Sequence, residues 1–264
     1  MRAFACALAI SLALPPAAEA APAPRRVASL NLCTDELLLL LAHPAQIVSV
    51  THLARQEAET PLWQQARRYR RNDGTLLSVT ALRPDLVLTM GGGARDRLRI
   101  AARLGIRTLE LPFAQSLEDV ERSIRTVAGA LGRVGAGEQL VRRLQRLRRT
   151  APAAAADAIW LGGGGRTVPA GGVEAQWMRL AGLAQRRMQG DRVSLEQLAL
   201  RPPRVLLRSD YRRGQYSAAQ RWLHHPLARA TGQSRNVATD GRRWTCVGPL
   251  LIDEVERLRG VLAR

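Results

Sequence analysis

The chain has 264 residues and a formal net charge of +18 at pH 7, and all of its positive charge comes from arginine because the sequence contains no lysine. This excludes chemistry that needs a lysine amine, such as Schiff-base formation, a Ser-Lys dyad or a lysine-containing phosphate loop. An excess of arginine can indicate nucleic-acid binding. Here the arginines are interleaved with acidic residues and aromatic residues are few, so we interpret them as solvated surface and expect no nucleic-acid partner.

The first 20 residues have the pattern of a cleavable export signal. Arg2 provides a positive start, residues 3–14 form an apolar stretch, and Ala18-Glu-Ala20 is a small-x-small cleavage site before Ala21. The apolar stretch is shorter than the roughly 20 residues that a membrane span requires. We therefore predict a signal peptide over residues 1–20, with a soluble mature chain on the far side of a membrane.

Two cysteines, Cys33 and Cys246, lie outside the predicted signal peptide. In an oxidising compartment they can form one disulfide, which closes a very long loop. They can equally be two separate buried thiols. The geometry of the pair decides between the alternatives, so at this point both stay open.

Short apolar runs typical of buried strands alternate with helical stretches in the first part of the chain. The predicted strands are 26–30, 46–50, 86–89 and 107–111, and the predicted helices are 34–41, 77–82 and 94–104. This order is typical of an α/β lobe with a mostly parallel sheet. We place this lobe at residues 21–115.

A long helical zone without strands follows. Apolar residues recur at spacings of three and four from Leu117 to Leu131, which predicts an amphipathic helix, and Ser116 is placed to cap it. Glycines from Gly132 to Gly137 interrupt the pattern before a second helix that runs to about Arg149. The sequence therefore predicts connecting helices over residues 116–150.

Strand and helix patterns alternate again over residues 151–264, which we assign to a second lobe. The predicted strands are 158–161, 205–207 and 236–238, and the predicted helices are 174–181, 195–200, 218–224 and 250–262. In both lobes a serine precedes a short helix, which ends before Arg-Pro and leads into a strand (residues 78–88 and 194–206). The predicted fold class is therefore α/β: two lobes with mostly parallel sheets, joined by a long helical connector, with a ligand cleft between them.

Three motifs carry a resemblance to a known family. Arg26-Val-Ala-Ser-Leu-Asn-Leu-Cys-Thr-Asp-Glu-Leu37 resembles the first strand and loop of helical-backbone (class III) periplasmic substrate-binding proteins, the receptors of ABC importers for iron-siderophore complexes, haem and cobalamin. Leu82-Arg-Pro-Asp-Leu-Val-Leu88 resembles an internal strand of that family, and Arg243-Trp-Thr-Cys-Val-Gly-Pro249 its C-terminal lobe. The resemblance spans residues 25–259 and is most specific for iron-siderophore or cobalamin receptors.

The resemblance implies a monomeric periplasmic receptor without a cofactor. It captures a small metal chelate (a ferric siderophore, cobalamin or haem) and delivers it to an ABC transporter permease in the inner membrane. It is not an enzyme, which agrees with the four histidines and the lack of a Gly-x-Ser-x-Gly motif. The alternatives are an exported non-transport scaffold of the same fold and a zinc or manganese receptor.

The candidate ligand-binding residues follow the predicted strands or lie in the motifs above, because open α/β sheets bind ligands beyond the carboxyl ends of their strands. They are Asn31, Cys33, Thr34, Thr51, His52, Gly91, Gly92, Arg95, Arg166, Tyr211, Arg212 and Trp244.

Several of these candidates have an alternative role. Asn31 or Thr34 can simply cap the first helix, and His52 can be an ordinary surface residue. Tyr211 and Arg212 either bind an anionic ferric siderophore through charge-assisted hydrogen bonds or form a solvated turn. Trp244 either stacks on a flat ligand ring or packs in the core between the lobes, and we favour stacking.

The chain departs from the family at its lobe tips. Receptors such as the cobalamin-binding protein carry a glutamate on each tip, and these glutamates dock on permease arginines. The matching regions here, residues 66–71 and 180–187, contain no acidic residue. Either neighbours such as Glu57, Glu59 and Asp191 replace the missing glutamates, or the partner surface differs.

Overall fold

The computed structural model describes residues 22–91, 95–209, 211, 217–229 and 234–264, with the backbone alone at 95–98, 227 and 229. The predicted signal peptide lies outside these residues. Within them, no helix has the length and apolar character needed to cross a membrane.

The first lobe is built on a five-stranded parallel sheet. Its strands are β1 (Val27–Ser29), β2 (Ile47–Thr51), β3 (Arg70–Asn72), β4 (Leu86–Met90) and β5 (Arg107–Leu111), in the order β3-β2-β1-β4-β5. Its helices are α1 (Leu32–Leu41), α2 (Trp63–Ala66), α3 (Leu77–Thr80) and α4 (Arg95–Arg103). Because all the strands run in one direction, their carboxyl ends share one edge of the sheet.

Two neighbouring antiparallel helices connect the lobes: α5 (Leu117–Ala130) and α6 (Val134–Arg149). Ser116 caps α5, its side chain accepting a hydrogen bond from the backbone N–H of Asp119. The helices approach closely at Gly137, where an added Cβ would lie 2.5 Å from the Cβ of Ala128. The break between the helices is shorter than the predicted interruption from Gly132 to Gly137, because Gly137 lies within α6, where it permits this close packing.

The second lobe contains a four-stranded parallel sheet. Its strands are β6 (Ala156–Leu161), β7 (Leu183–Gln185), β8 (Val205–Ser209) and β9 (Arg235–Thr239), in the order β7-β6-β8-β9. Its helices are α7 (Val173–Leu180), α8 (Leu195–Leu200), α9 (Ala218–His224), α10 (Pro226–Arg229), α11 (Gly241–Trp244) and α12 (Leu250–Leu262). A continuous apolar core includes residues of both lobes and of the connector, among them Leu37, Ile124, Trp177 and Leu251.

The predicted fold class is confirmed: two α/β lobes with parallel sheets are joined by helices. The sequence prediction lacks the edge strands β3 and β7. Both are three residues long. Strand β3 contains the exposed pair Arg70-Arg71, so its sequence does not have the apolar run that predicts a strand. The short helices α2, α10 and α11 were also not predicted, because four residues are too few to establish a helical period.

Candidate ligand-binding site

Loops at the carboxyl ends of both sheets meet between the lobes. The Tyr211 hydroxyl, just after β8, donates a hydrogen bond to Oε2 of Glu59 at 2.5 Å. Nη1 of Arg242, just after β9, donates to the carbonyl oxygen of Glu57 at 2.8 Å. Glu57 and Glu59 both lie in the loop that follows β2. The second lobe therefore contacts the first directly across the edge where ligands of α/β sheets bind.

A disulfide joins the lobes at a second place. Cys33, in the first turn of α1, is bonded to Cys246, just after α11, with 5.2 Å between their Cα atoms. The bond links residues 213 positions apart. The sequence allowed either a disulfide or two separate thiols, and the structure contains the disulfide. Next to it, the Trp177 indole N–H donates to the carbonyl oxygen of Val247 at 2.9 Å, which holds the segment that carries Cys246.

A small apolar cavity of about 90 Å³ lies beside the disulfide. It is bounded by α1, the ends of β4 and β5, the connector helix α5 and the segment before α12. The lining residues are Cys33, Glu36, Leu37, Met90, Phe113, Ala114, Val120, Ser123, Thr245, Cys246, Val247, Gly248 and Pro249. This volume is smaller than that of a complete small-molecule site, roughly 300–1,000 Å³, so the cavity can admit only part of a ligand, such as a ring or an alkyl group.

Gly91 shapes one wall of this cavity. Its φ of +100° lies in the region that favours glycine. A Cβ added there would lie 2.7 Å from the Phe113 ring. Glycine therefore lets the half-exposed ring of Phe113 lie against the backbone at the end of β4.

Glu36 is a buried carboxyl group at the contact between the lobes. One of its oxygens accepts the backbone N–H of Leu250, at the start of α12, at 3.1 Å. Burial raises the pKa of Glu36 to about 7, against the opposing effects of that hydrogen bond and of the Arg243 charge. A Cβ on Gly248 would lie 2.7 Å from the same carboxyl group. A first-lobe side chain thus accepts a hydrogen bond from the first turn of a second-lobe helix, where backbone N–H groups have no partner within the helix.

The neighbouring Asp35 is also buried but acts within the first lobe. It accepts hydrogen bonds from the backbone N–H of Thr51 at 3.1 Å and from the Thr51 hydroxyl at 2.5 Å. Burial raises the pKa of Asp35 to about 7. Thr34 is fully buried and bonded to Ser29 and to the carbonyl oxygen of Asn31. Thr34 and Thr51 therefore hold the first lobe together, which corrects their prediction as ligand contacts.

Trp244 also differs from the sequence prediction. It is 5% exposed, and its indole N–H donates to the hydroxyl of Thr239 at 2.7 Å. Its ring lies 6.1 Å from that of Trp160. The stacking role that we favoured is wrong for this structure, because the core encloses the ring and its one polar group already has a partner.

The remaining candidates are dispersed. Asn31 caps α1 by accepting the backbone N–H of Cys33, and His52 is exposed on the first lobe. Arg166 is exposed on the second lobe, with a guanidinium nitrogen 4.0 Å from Asp191. Gly92, Arg212 and the side chain of Arg95 lie outside the described residues. The sequence prediction missed Glu36 and Phe113, although an acid inside the apolar run of α1 was a visible signal.

One substitute for the missing tip glutamates is excluded. Glu59 is only 7% exposed and bonded to Tyr211, so it is not available for docking on a partner. Over the described ranges, no group of three or more His, Cys, Asp or Glu side chains is placed to hold a metal ion.

A family model described as "Periplasmic binding protein" matches residues 27–239. The chain belongs to this family. The family is one of binding proteins, as the resemblance implied. A search of curated proteins gives no significant match.

Solved structures of similar fold agree with the membership. A possible iron-binding periplasmic protein from Staphylococcus epidermidis is 15% identical with a TM-score of 0.68, over 92% of this chain and all of the other. A periplasmic heme-binding protein from Pseudomonas aeruginosa is 21% identical (TM-score 0.64, 90% and 92% of the two chains). The periplasmic vitamin B12-binding protein of Vibrio cholerae is 18% identical (TM-score 0.62, 91% and 97%).

Proposed function

We propose that this protein is a periplasmic receptor that captures a metal chelate between its lobes and delivers it to an ABC permease. The observation that carries the proposal is the meeting of the two sheets' carboxyl-end loops, through Tyr211–Glu59 and Arg242–Glu57, beside an apolar cavity. The chain does no chemistry and needs no cofactor. It acts as a monomer, with lobes at 21–115 and 151–264, after removal of residues 1–20.

The ligand class rests on the apolar lining of the cavity and on the ligands that proteins of the same fold are described as binding. Phe113, Met90 and Val247 offer apolar contact for the organic part of a chelate. Proteins of the same fold are described as binding heme and vitamin B12, and one is bound to ferric acinetobactin. Ferric siderophores, cobalamin and haem all combine an apolar or aromatic body with polar edges, so they are the ligands that we assign to this site.

Transport requires the permease to distinguish the loaded receptor from the empty one. A ligand can only shift the lobes toward an arrangement that it binds more tightly. The disulfide and the Glu36–Leu250 contact hold the lobes together near the connector. We therefore expect a small hinge movement that makes and breaks the contacts of Tyr211 and Arg242, rather than wide opening.

The test is a binding screen with the purified chain from residue 21 onward. Ferric siderophores, haem and corrinoids are added one at a time while tryptophan fluorescence and thermal unfolding are followed. A true ligand at about 100 times its Kd stabilises the folded state by about 2.7 kcal/mol, a clear rise in Tm. No quenching and no thermal shift with any member of the panel contradicts the proposal.

A second function, an exported scaffold that has lost transport, is favoured by one observation. Arg68, Arg70 and Arg71 are exposed where the family's first tip carries a glutamate. A receptor is retained by the permease encoded beside its gene in a pull-down, and a scaffold is not. Absence of both ligand binding and permease retention would support the scaffold.

A further inference from the structure

Four basic side chains converge on the first lobe, outside the apolar cavity. They line a hollow of about 300 Å³ together with one glutamine. We call it the arginine pocket, and its residues are His52, Arg55, Gln56, Arg67 and Arg71. No acidic residue is among them. The pocket lies at the β2–β3 end of the sheet, whereas the apolar cavity lies near β5 and the connector.

Local structure fixes these side chains from three directions. The backbone N–H of His52 donates to the carbonyl oxygen of Asn72 at 2.8 Å, which ties the end of β2 to β3. The Arg67 guanidinium lies over the Trp63 ring, 4.5 Å from its centre. Arg71 points into the pocket from β3, while its neighbour Arg70 lines a separate hollow with Tyr69, because successive strand residues face opposite ways.

The positive charge of the pocket is not neutralised by the protein. Among the described residues, no ion pair joins Arg55, Arg67 or Arg71 to a carboxylate. The neighbouring acidic side chains make other contacts. Glu59 accepts a hydrogen bond from the Tyr211 hydroxyl, and Asp73 accepts one from the Thr75 hydroxyl. The pKa of Arg242 is raised mainly by its hydrogen bond to Asp240 and to a smaller extent by the charge of Glu57.

One arginine that lines the pocket has a buried nitrogen without an acceptor. Nε of Arg55 is inaccessible to solvent and has no hydrogen-bond partner in the described structure. Buried polar groups in folded proteins are almost always paired. This nitrogen is itself closed to a ligand, but three arginines and a histidine around one hollow without an acid favour an anionic ligand there.

We propose that the arginine pocket binds an oxyanion with two or more negative charges, carried on carboxylate or phosphate oxygens. Guanidinium groups match such oxygens in paired, charge-assisted hydrogen bonds, and Gln56 adds a neutral donor. The anion has two sources. One is a free anion such as citrate or phosphate. The other is the anionic part of the captured chelate, and only this second source rests on the proposed function.

The chain provides matched controls for a test by isothermal titration calorimetry. Arg71→Gln and Arg67→Gln each remove one charge from the pocket. Arg70→Gln and Arg68→Gln remove the same charge from the adjacent position, and all four side chains are exposed, so the fold tolerates the changes. Citrate, phosphate and ferric citrate are titrated at low ionic strength, because salt weakens attraction between exposed charges.

We expect the two pocket variants to weaken binding at least about tenfold and the two controls about twofold or less, as the loss of a charge-assisted hydrogen bond predicts. Binding of free citrate or phosphate with this pattern identifies a free anion. Binding of ferric citrate alone with this pattern identifies the chelate. Absence of binding by all three, or equal weakening by pocket and control variants, overturns the proposal. Because citrate and phosphate are not chelates, their result is independent of the siderophore, haem and corrinoid screen.

Discussion

The lobes are joined differently at two places. On the connector side, defined by Cys33, Glu36, Phe113 and Cys246, a covalent bond and a buried carboxyl group cross the interface beside an apolar cavity. On the far side, defined by Glu57, Glu59, Tyr211 and Arg242, two hydrogen bonds between loops cross it. The first set of contacts is costly to break, whereas the second can exchange with water or ligand. We therefore expect the contacts on the connector side to persist and those on the far side to break and re-form.

The largest expected effect comes from removing the disulfide. Replacing both cysteines, Cys33→Ser with Cys246→Ser, frees a loop that spans 213 positions. Loop-closure entropy predicts a loss of up to about 5 kcal/mol in the free energy of unfolding. Urea denaturation of the variant and of the wild type measures it.

The reduced wild-type protein is the control for this prediction, because it loses the same bond without a change of sequence. It should unfold at the same urea concentration as the double variant. An unchanged midpoint in both proteins would show that the connector side is no more firmly held than the far side.

The second effect is a dependence of stability on pH. Burial raises the folded-state pKa of Glu36 from an ordinary 4.5 to about 7, so the folded state holds a proton that the unfolded state releases between these values. The contribution is fully present below pH 4.5 and is lost as pH rises through 7. We expect the free energy of unfolding to fall by a few kcal/mol over this window, with Asp35 acting in the same direction.

Glu36→Gln should make this slope shallower and leave the contribution of Asp35, because it keeps an acceptor for the Leu250 N–H and removes one of the two titrations. The measurement is thermal unfolding at a series of pH values. Glu196→Gln is the control: Glu196 is exposed and its pKa is lowered by a hydrogen bond from Ser194, so its loss cannot flatten the slope. An unchanged slope in Glu36→Gln would show that Glu36 does not titrate at the contact between the lobes.

Much of the fold could be predicted from the sequence, because strand and helix periods report local burial. Helices α8, α9 and α12 have the bounds that the apolar pattern predicts. The site could be predicted less well. The contact of Glu36 with Leu250 joins residues 214 positions apart. A local sequence pattern cannot predict a contact between residues so far apart in the chain. For the same reason, the motif around Trp244 identified an important segment but not the burial of its ring.

A smaller effect is expected in the cavity on the connector side. Phe113→Ala removes a half-exposed ring that lines the cavity, so a bound chelate loses apolar contact worth about tenfold in affinity. Tryptophan quenching with the ligand found in the screen measures it. Leu200→Ala, at an exposed apolar residue outside the cavity, should leave affinity unchanged. Equal losses of affinity in both variants would show that the cavity does not contribute to ligand binding.

The smallest effect belongs to the far side. Tyr211→Phe removes the hydroxyl that donates to Glu59, and a single hydrogen bond between loops contributes about 1 kcal/mol. If this side opens and closes, the variant should keep nearly the wild-type Tm while hydrogen exchange accelerates at backbone amides of the loop 52–62. Arg166→Gln, at an exposed arginine of the second lobe, is the control and should leave that exchange unchanged. Unaltered exchange in Tyr211→Phe would mean that the far side is as rigid as the disulfide-bonded side, and that movement of the lobes must be sought elsewhere.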